Sequence, residues 1–327
     1  MNRHRIDVHH HAIPQAYIDA LKLAGVSEPI VDVAYPTWDV DTDLEVMDRH
    51  GIQAAVLSIT APGVSFTDGR AAAAAARATN EALAQLIAAH PTRYGAFALL
   101  PLPDLDAALD EVDYALDVLG FDGIGLFTHY RGTYLGDPAW DRLFAVLAER
   151  DAVVFVHPTV PPSTDQPMFG LPPSLYEFPF ETTRMVANLL FSGTLDRHPG
   201  LRMIVPHAGG AVPYLAKRLT YAATITPTIA EREPKALLDS LRRLYYDTAM
   251  SANDHTLAAL TSFIPDDHVL FGSDYPFMPE STTAETVSGL TAYYDAPRLA
   301  QVESGNALHL LPSLAARVTG AAAAIDI

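Results

Sequence analysis

The sequence predicts an α/β protein folded as a (β/α)8 TIM barrel, and three observations carry the prediction. Eight short apolar runs with strand character recur along the chain, mostly separated by segments of helical character. No linker interrupts the alternation, and repeated β–α units imply a parallel sheet that eight units close into a barrel. Four of the runs end on His or Asp, at the strand ends where a barrel carries its active site. A doubly wound sheet is the structural competitor, but it would not bring first and last strands together.

In chain order, the first strand is R-I-D-V, which leads into D-V-H-H-H-A-I-P at residues 7–14. A short helix is expected over 14–24, then a loop containing Pro and Trp over 25–42, then a helix stopped by Gly51. A-A-V-L-S-I at 54–59 reads as the second strand, and 67–90 as a long helix whose alanines express propensity rather than function. Further strands are expected at 94–100, 123–127, 153–157, 202–207, 244–248 and 268–274, with helices near 104–119 and 138–150. The connection 158–181 is rich in Pro and aromatic residues and is expected to be a lid-like insertion, since long loops at the catalytic face form lids, pocket walls or subunit contacts. Residues 298–312 read as a C-terminal closing helix, so a single domain is expected over 1–312, followed by an Ala-rich tail, 313–327, without evident role.

Composition narrows the function. The 327 residues carry 21 Lys and Arg against 39 Asp and Glu, a formal charge of −18. That balance argues against nucleic acid or an anionic membrane as partner, and an anionic small substrate needs a local cation. The absence of cysteine excludes disulfides, thiolate ligands and a cysteine nucleophile, and suits a reducing compartment. The first fifteen residues show no secretory pattern and no run approaches the roughly 20 apolar residues of a membrane span, so the expectation is a soluble, cytoplasmic protein.

On a strand, alternate side chains share a side, so His9 and His11 point together while His10 points away. His157 ends V-V-F-V-H, His207 ends M-I-V-P-H-A-G-G and Asp274 ends V-L-F-G-S-D. Three neutral imidazoles and a carboxylate make a site of borderline hardness, suited to one divalent ion, Zn2+ or Mn2+. His9, His11 and His157 read as ligands. Asp274 reads as a ligand or an acid/base residue, with a helix N-cap as the structural alternative. His207 suits either ligation or acid/base work, and the glycines after it permit close backbone approach to a ligand. His129 follows the fourth strand and is a weaker candidate for the pocket lining. Lys22, Lys217 and Lys235 lie away from strand ends, which excludes a two-metal site bridged by a carbamylated lysine and favours one ion. The segments G-S-D and G-I-G match neither a nucleophile elbow nor a dinucleotide fingerprint.

Taken together, D-V-H-H-H-A-I-P, M-D-R-H-G-I, F-V-H-P, E-T-T at 181–183, H-A-G-G, G-S-D-Y-P and G-N-A at 305–307 resemble the amidohydrolase superfamily, in its branch of metal-dependent non-oxidative decarboxylases. The resemblance implies metal binding by His9, His11, His157 and Asp274, an acid/base role for His207, and a homodimer or homotetramer. It also implies that Arg218, in A-K-R-L, reaches a substrate carboxylate in the neighbouring subunit, as in aminocarboxymuconate-semialdehyde decarboxylases. A second carboxylate-binding arginine of those enzymes is replaced here by Asp43, and P-T-W-D-V, L-P-L-P-D and Y-L-G-D-P look more like the 6-methylsalicylate decarboxylase group. The substrate so implied is a small aromatic carboxylate with a hydroxyl beside the carboxyl group. Hydrolysis of a lactone or amide is the alternative reaction, and a binding barrel without turnover the alternative class.

Overall fold

The computed structural model describes residues 4–26, 35–163, 165, 167–225 and 232–325. Eight parallel strands form one sheet in chain order: β1 Arg5–His11, β2 Ile52–Ser58, β3 Tyr94–Leu99, β4 Gly123–Phe127, β5 Val153–His157, β6 Arg202–Val205, β7 Tyr245–Asp247 and β8 Val269–Leu270. The chain leaving β8 returns to β1 through Val8 N–H to Phe271 O (3.0 Å), Asp274 N–H to His9 O (2.9 Å) and His11 N–H to Tyr275 O (2.8 Å). Those bonds join the ends of the sheet, and the expected (β/α)8 barrel is borne out.

Two layers of core follow from the strand pattern. Ile6, Val8, Ala54, Val56, Phe97, Phe155, Ile204 and Leu270 fill the interior of the barrel, and the other faces of the strands pack against the surrounding helices. Helix Gly69–Ala89 shows how: Ala72, Ala75, Ala76 and Leu83 make its buried stripe at helical spacing, so its alanines also allow close approach to the sheet. The helix expected after the first long loop starts at Val40, capped by Asp39 accepting from the Thr42 N–H, so that loop ends at 39 rather than 42. Its segment 27–34 lies outside the described residues.

Three differences from expectation have physical causes. The connection 158–181 is loop only in its first part, because a helix runs from Pro173 to Phe191. Prolines at 172, 173 and 179 mask its helical spacing, yet Pro173 occupies the tolerated first turn, and the Pro179 carbonyl accepts from Thr183 Oγ1 (2.7 Å). A two-residue hairpin, His129–Tyr130 with Thr133–Tyr134, interrupts the connection after β4 and was too short to leave a pattern in the sequence. The Ala-rich tail is helical from Pro312 to Ile325. Leu314 and Val318 join the interior cluster, and Arg317 pairs with the buried Asp122 at 2.8 Å, so packing continues past the expected limit at 312. Among the described residues no helix is long and apolar enough to cross a membrane.

Candidate metal centre

The first strand does more than alternate. Its register against β2 slips between Asp7 and His10, which is a bulge at Val8 and His9. A bulge re-aims the side chains that follow it. Ile6 and Val8 therefore fill the barrel while His9 and His11 still face its centre, and Asp7 and His10 share the outer side. Strict alternation would have put His9 with Asp7.

His9, His11, His157 and Asp274 each present a ligand atom to one point, with all of these atoms within 4.8 Å of one another. Each imidazole is held by its other nitrogen. His9 Nδ1 donates to Asp247 Oδ2 (2.8 Å), His11 Nδ1 to Ser58 Oγ (2.9 Å), and His157 Nδ1 to the Pro158 carbonyl (2.7 Å). Ser58 Oγ is free to accept because its own proton goes to the His10 carbonyl (3.3 Å). The arrangement leaves Nε2 of all three rings for the centre, the orientation that metal-binding histidines acquire from such partners. His9 Nε2 is buried and lies 3.3 Å from Asp274 Oδ1 without hydrogen-bond geometry, so it has no partner of its own. An orphaned ring nitrogen facing two imidazoles and a carboxylate fits a divalent ion, which these four groups could hold.

Electrostatics suit His157 and Asp274 to ligation directly, whereas His9 must first give up a proton. Burial, with the neighbouring imidazoles His11 and His9, pushes His157 well below its ordinary value and keeps it neutral, as a ligand must be. Burial would raise Asp274, but His11 and His9 reverse the effect and hold it well below the usual carboxylate range. Burial would lower His9, but Asp247 and Asp274 raise it to about 10 in the metal-free protein. The backbone is arranged around the site at a cost. His207, Ala208, Met250 and Asp274 are non-glycine residues with φ of 52°, 53°, 53° and 62°, each costing on the order of 1 kcal/mol or more. Gly272 lies where the chain leaving β8 passes His9, and a Cβ there would sit 2.8 Å from the His9 Cβ.

His207 stands beside the four, its ring centroid 4.9 Å from that of His9. Its Nδ1 donates to the Ala249 carbonyl (3.1 Å), and burial lowers its pKa. The glycines after it serve a different purpose from the expected approach to a ligand: a Cβ on Gly210 would meet the Pro179 carbonyl at 2.2 Å and one on Gly209 the Tyr246 ring at 2.7 Å, so Gly210 admits the wall helix Pro173–Phe191 and Gly209 the Tyr246 ring. Asp247, the last residue of β7, was not singled out from sequence although it occupies the same kind of strand-end position. It accepts from His9, from the His207 N–H (2.9 Å) and from the Ala249 N–H (3.0 Å).

Behind the ligands lies a buried charge cluster. His10 bonds Asp7 Oδ2 (3.1 Å) through one nitrogen and Asp43 Oδ1 (2.8 Å) through the other. Burial would lower this imidazole, but Asp43 and Asp7 hold it up at about 10. Asp43 also accepts from Tyr94 OH (2.6 Å) and Trp38 Nε1 (3.1 Å), and Asp7 Oδ1 accepts from the His9 and Ser273 N–H groups. Asp43 is thus a buried structural hub.

The site opens on a pocket of about 170 Å3. Thr60, His157, His207 and Asp274 lie on one side, and Leu175, Phe178, Met250, Phe277 and Met278 supply an apolar wall. The inserted helix is therefore a wall of this pocket. Among the described residues its lining holds no Lys or Arg. Arg218 lies elsewhere, exposed on helix Val212–Leu219. His129 faces the adjacent cavity, where Nε2 donates to the Val160 carbonyl (2.9 Å) and Nδ1 accepts from the Gly132 N–H (3.2 Å).

Comparison with known proteins agrees with the fold. The family model described as amidohydrolase matches residues 6–312. The 6-methylsalicylic acid decarboxylase of Penicillium expansum is 40% identical over 95% of this chain and 97% of its own length. The γ-resorcylate decarboxylase of Rhizobium sp. is 30% identical over 80% of this chain and 82% of its own. The crystal structure of 2,6-dihydroxybenzoate decarboxylase from Rhizobium superposes with a TM-score of 0.80 at 26% identity, covering 95% of this chain and 99% of that one. With the barrel, the strand-end histidines and the family model all in agreement, the chain belongs to the amidohydrolase family.

Proposed function

We propose that the protein removes carbon dioxide from a small aromatic acid with a hydroxyl beside the carboxyl group, of the 6-methylsalicylate type. One divalent ion, Zn2+ or Mn2+, would be held by His9, His11, His157 and Asp274. The observation that carries this reading is the pairing of that donor set with a small pocket whose outer wall is Leu175, Phe178, Met250, Phe277 and Met278. An apolar slot beside a metal site suits one benzene ring with one chelating edge. The 6-methylsalicylic acid decarboxylase relative supports the same ring.

Direct loss of carbon dioxide would leave an aryl carbanion, so the ring carbon bearing the carboxylate takes a proton first. Held by His9, His11, His157 and Asp274, the ion would supply Lewis acidity that draws charge from the substrate. His207 is the better placed donor. Asp274, held ionised by His11 and His9, has no proton to give, whereas an anionic ring beside His207 restores the proton that burial disfavours. Transfer of that proton to the ring carbon, then cleavage of the carbon–carboxylate bond, returns the bonding pair to the ring and restores aromaticity. The apolar wall keeps water from competing for the position.

We assign Arg218 to the carboxylate of the substrate bound in a neighbouring subunit of a homodimer or homotetramer. Its helix and the turn after it expose Tyr214 and Tyr221, large side chains that favour a covered face. The absence of cysteine suits the cytoplasm. The test is incubation of metal-loaded protein with 6-methylsalicylate, following 3-methylphenol and carbon dioxide. Equimolar release of both is expected. An unchanged acid together with hydrolysis of aryl lactones would replace this reading by the hydrolase.

A further inference from the structure

The loops after β2, β4 and β5 enclose a second cavity on the catalytic face, of about 380 Å3. It adjoins the metal pocket: Thr60 and His157 line the one, Pro62 and Thr159 the other. Phe127, Tyr130, Val160 and Pro161 give it an apolar, partly aromatic wall, and among the described residues Arg131 is the one Lys or Arg lining either cavity.

Arg131 stands in an unfavourable backbone position. With Gly132 it forms the two-residue turn of the hairpin His129–Tyr130 and Thr133–Tyr134, with φ of 52° and 84°. A turn with positive φ at both central residues favours Asn, Asp or Gly at the first. The hairpin itself gains nothing from arginine there. The guanidinium meets Asp68 in an ion pair whose side chains are 50% and 76% exposed, a contact that water and salt weaken. Strain retained where the fold does not require it points to use of the side chain.

We propose that this cavity is a separate binding site for an aromatic monocarboxylate, with the ring on Phe127, Tyr130 and Val160 and the carboxylate on Arg131 in place of Asp68. The ligand class rests on the decarboxylase reading above. Loss of carbon dioxide removes the group that pairs with Arg131, so the cavity holds the acid and releases the phenol. It also gives an anion approaching a chain of net charge −18 a local cation next to the metal pocket.

Calorimetric titration of the metal-loaded protein with benzoate tests the site, using Arg131→Asn, Arg131→Lys and Asp68→Asn. The wild type is expected to take two benzoates per chain. Arg131→Asn should weaken one of them by about tenfold or more, the loss of a charge-assisted pair, while its melting temperature rises because asparagine suits the turn. Arg131→Lys should keep both, and Asp68→Asn should tighten the second by freeing the guanidinium. A single benzoate in every variant, or an Arg131→Asn titration identical to wild type, overturns the proposal. So does equal weakening by Arg131→Asn and Asp68→Asn, which would mark the ion pair as structural. Phenol release by the same preparations separates the two readings: turnover with one benzoate removes only the outer site, and two benzoates without turnover removes only the decarboxylase.

Discussion

Asp247→Asn offers the sharpest probe of how the ligands are held. The Asp247 carboxylate is fully buried and accepts three hydrogen bonds: one oxygen takes the His207 and Ala249 N–H groups, the other takes His9 Nδ1–H. Asparagine has one accepting oxygen. If that oxygen stays with the two backbone donors, the amide NH2 opposes His9 Nδ1–H. If it turns to His9, the NH2 opposes both backbone donors. In the first case His9 escapes the clash by moving its proton to Nε2, the atom needed at the metal. A charge-assisted hydrogen bond contributes about 1.5–3 kcal/mol, which corresponds to metal binding weaker by roughly 10- to 150-fold. That agrees with the 10- to 100-fold typical of such supporting residues. The assay is the Mn2+ dissociation constant by calorimetry, with circular dichroism to confirm the fold. Unchanged affinity in a folded Asp247→Asn protein would refute the claim that this carboxylate sets the His9 tautomer.

Other outcomes follow from the same geometry. His207→Asn should retain stoichiometric metal while kcat falls by about 10²–10⁴, the usual contribution of an acid/base group, and a near wild-type rate would remove His207 from the proton transfer. Metal binding must displace the proton that Asp247 and Asp274 hold on His9 up to about 10, so apparent affinity should rise with pH, by up to about tenfold per unit between pH 6.5 and 7.5, and a flat profile measured by Mn2+ titration would contradict this. Gly272→Ala places a Cβ 2.8 Å from the His9 Cβ, and should cost about 1–3 kcal/mol in chemical denaturation together with metal occupancy. Full occupancy at wild-type stability would show that β8 and β1 have room to spare.

Much of this architecture was legible because strand ends announce themselves. V-V-F-V-H and V-L-F-G-S-D are apolar runs that stop at a ligand type, and eight such runs in alternation permit few topologies. Asp247 ends L-Y-Y-D-T in the same way, but carboxylates also cap helices, and nothing local distinguishes one that orients a histidine across the barrel. The bulge at Val8 and His9 depends on the register of β1 against β2, which one strand alone does not contain. Asp43, whose place in the sequence suggested only a missing substrate arginine, is turned inward by His10, Tyr94 and Trp38, partners spread over 85 residues from 10 to 94 that only the folded barrel brings together. The helix Pro173–Phe191 was hidden by its prolines, and the final helix by a composition that reads as tail until Leu314 and Val318 are found in the barrel core.

Metal content of the active protein tests the central claim most directly. Elemental analysis should find one divalent ion per chain, lost from His157→Ala in proportion to activity. Turnover by metal-free protein, or two ions per chain that persist when His157 is removed, would contradict a single centre built from His9, His11, His157 and Asp274.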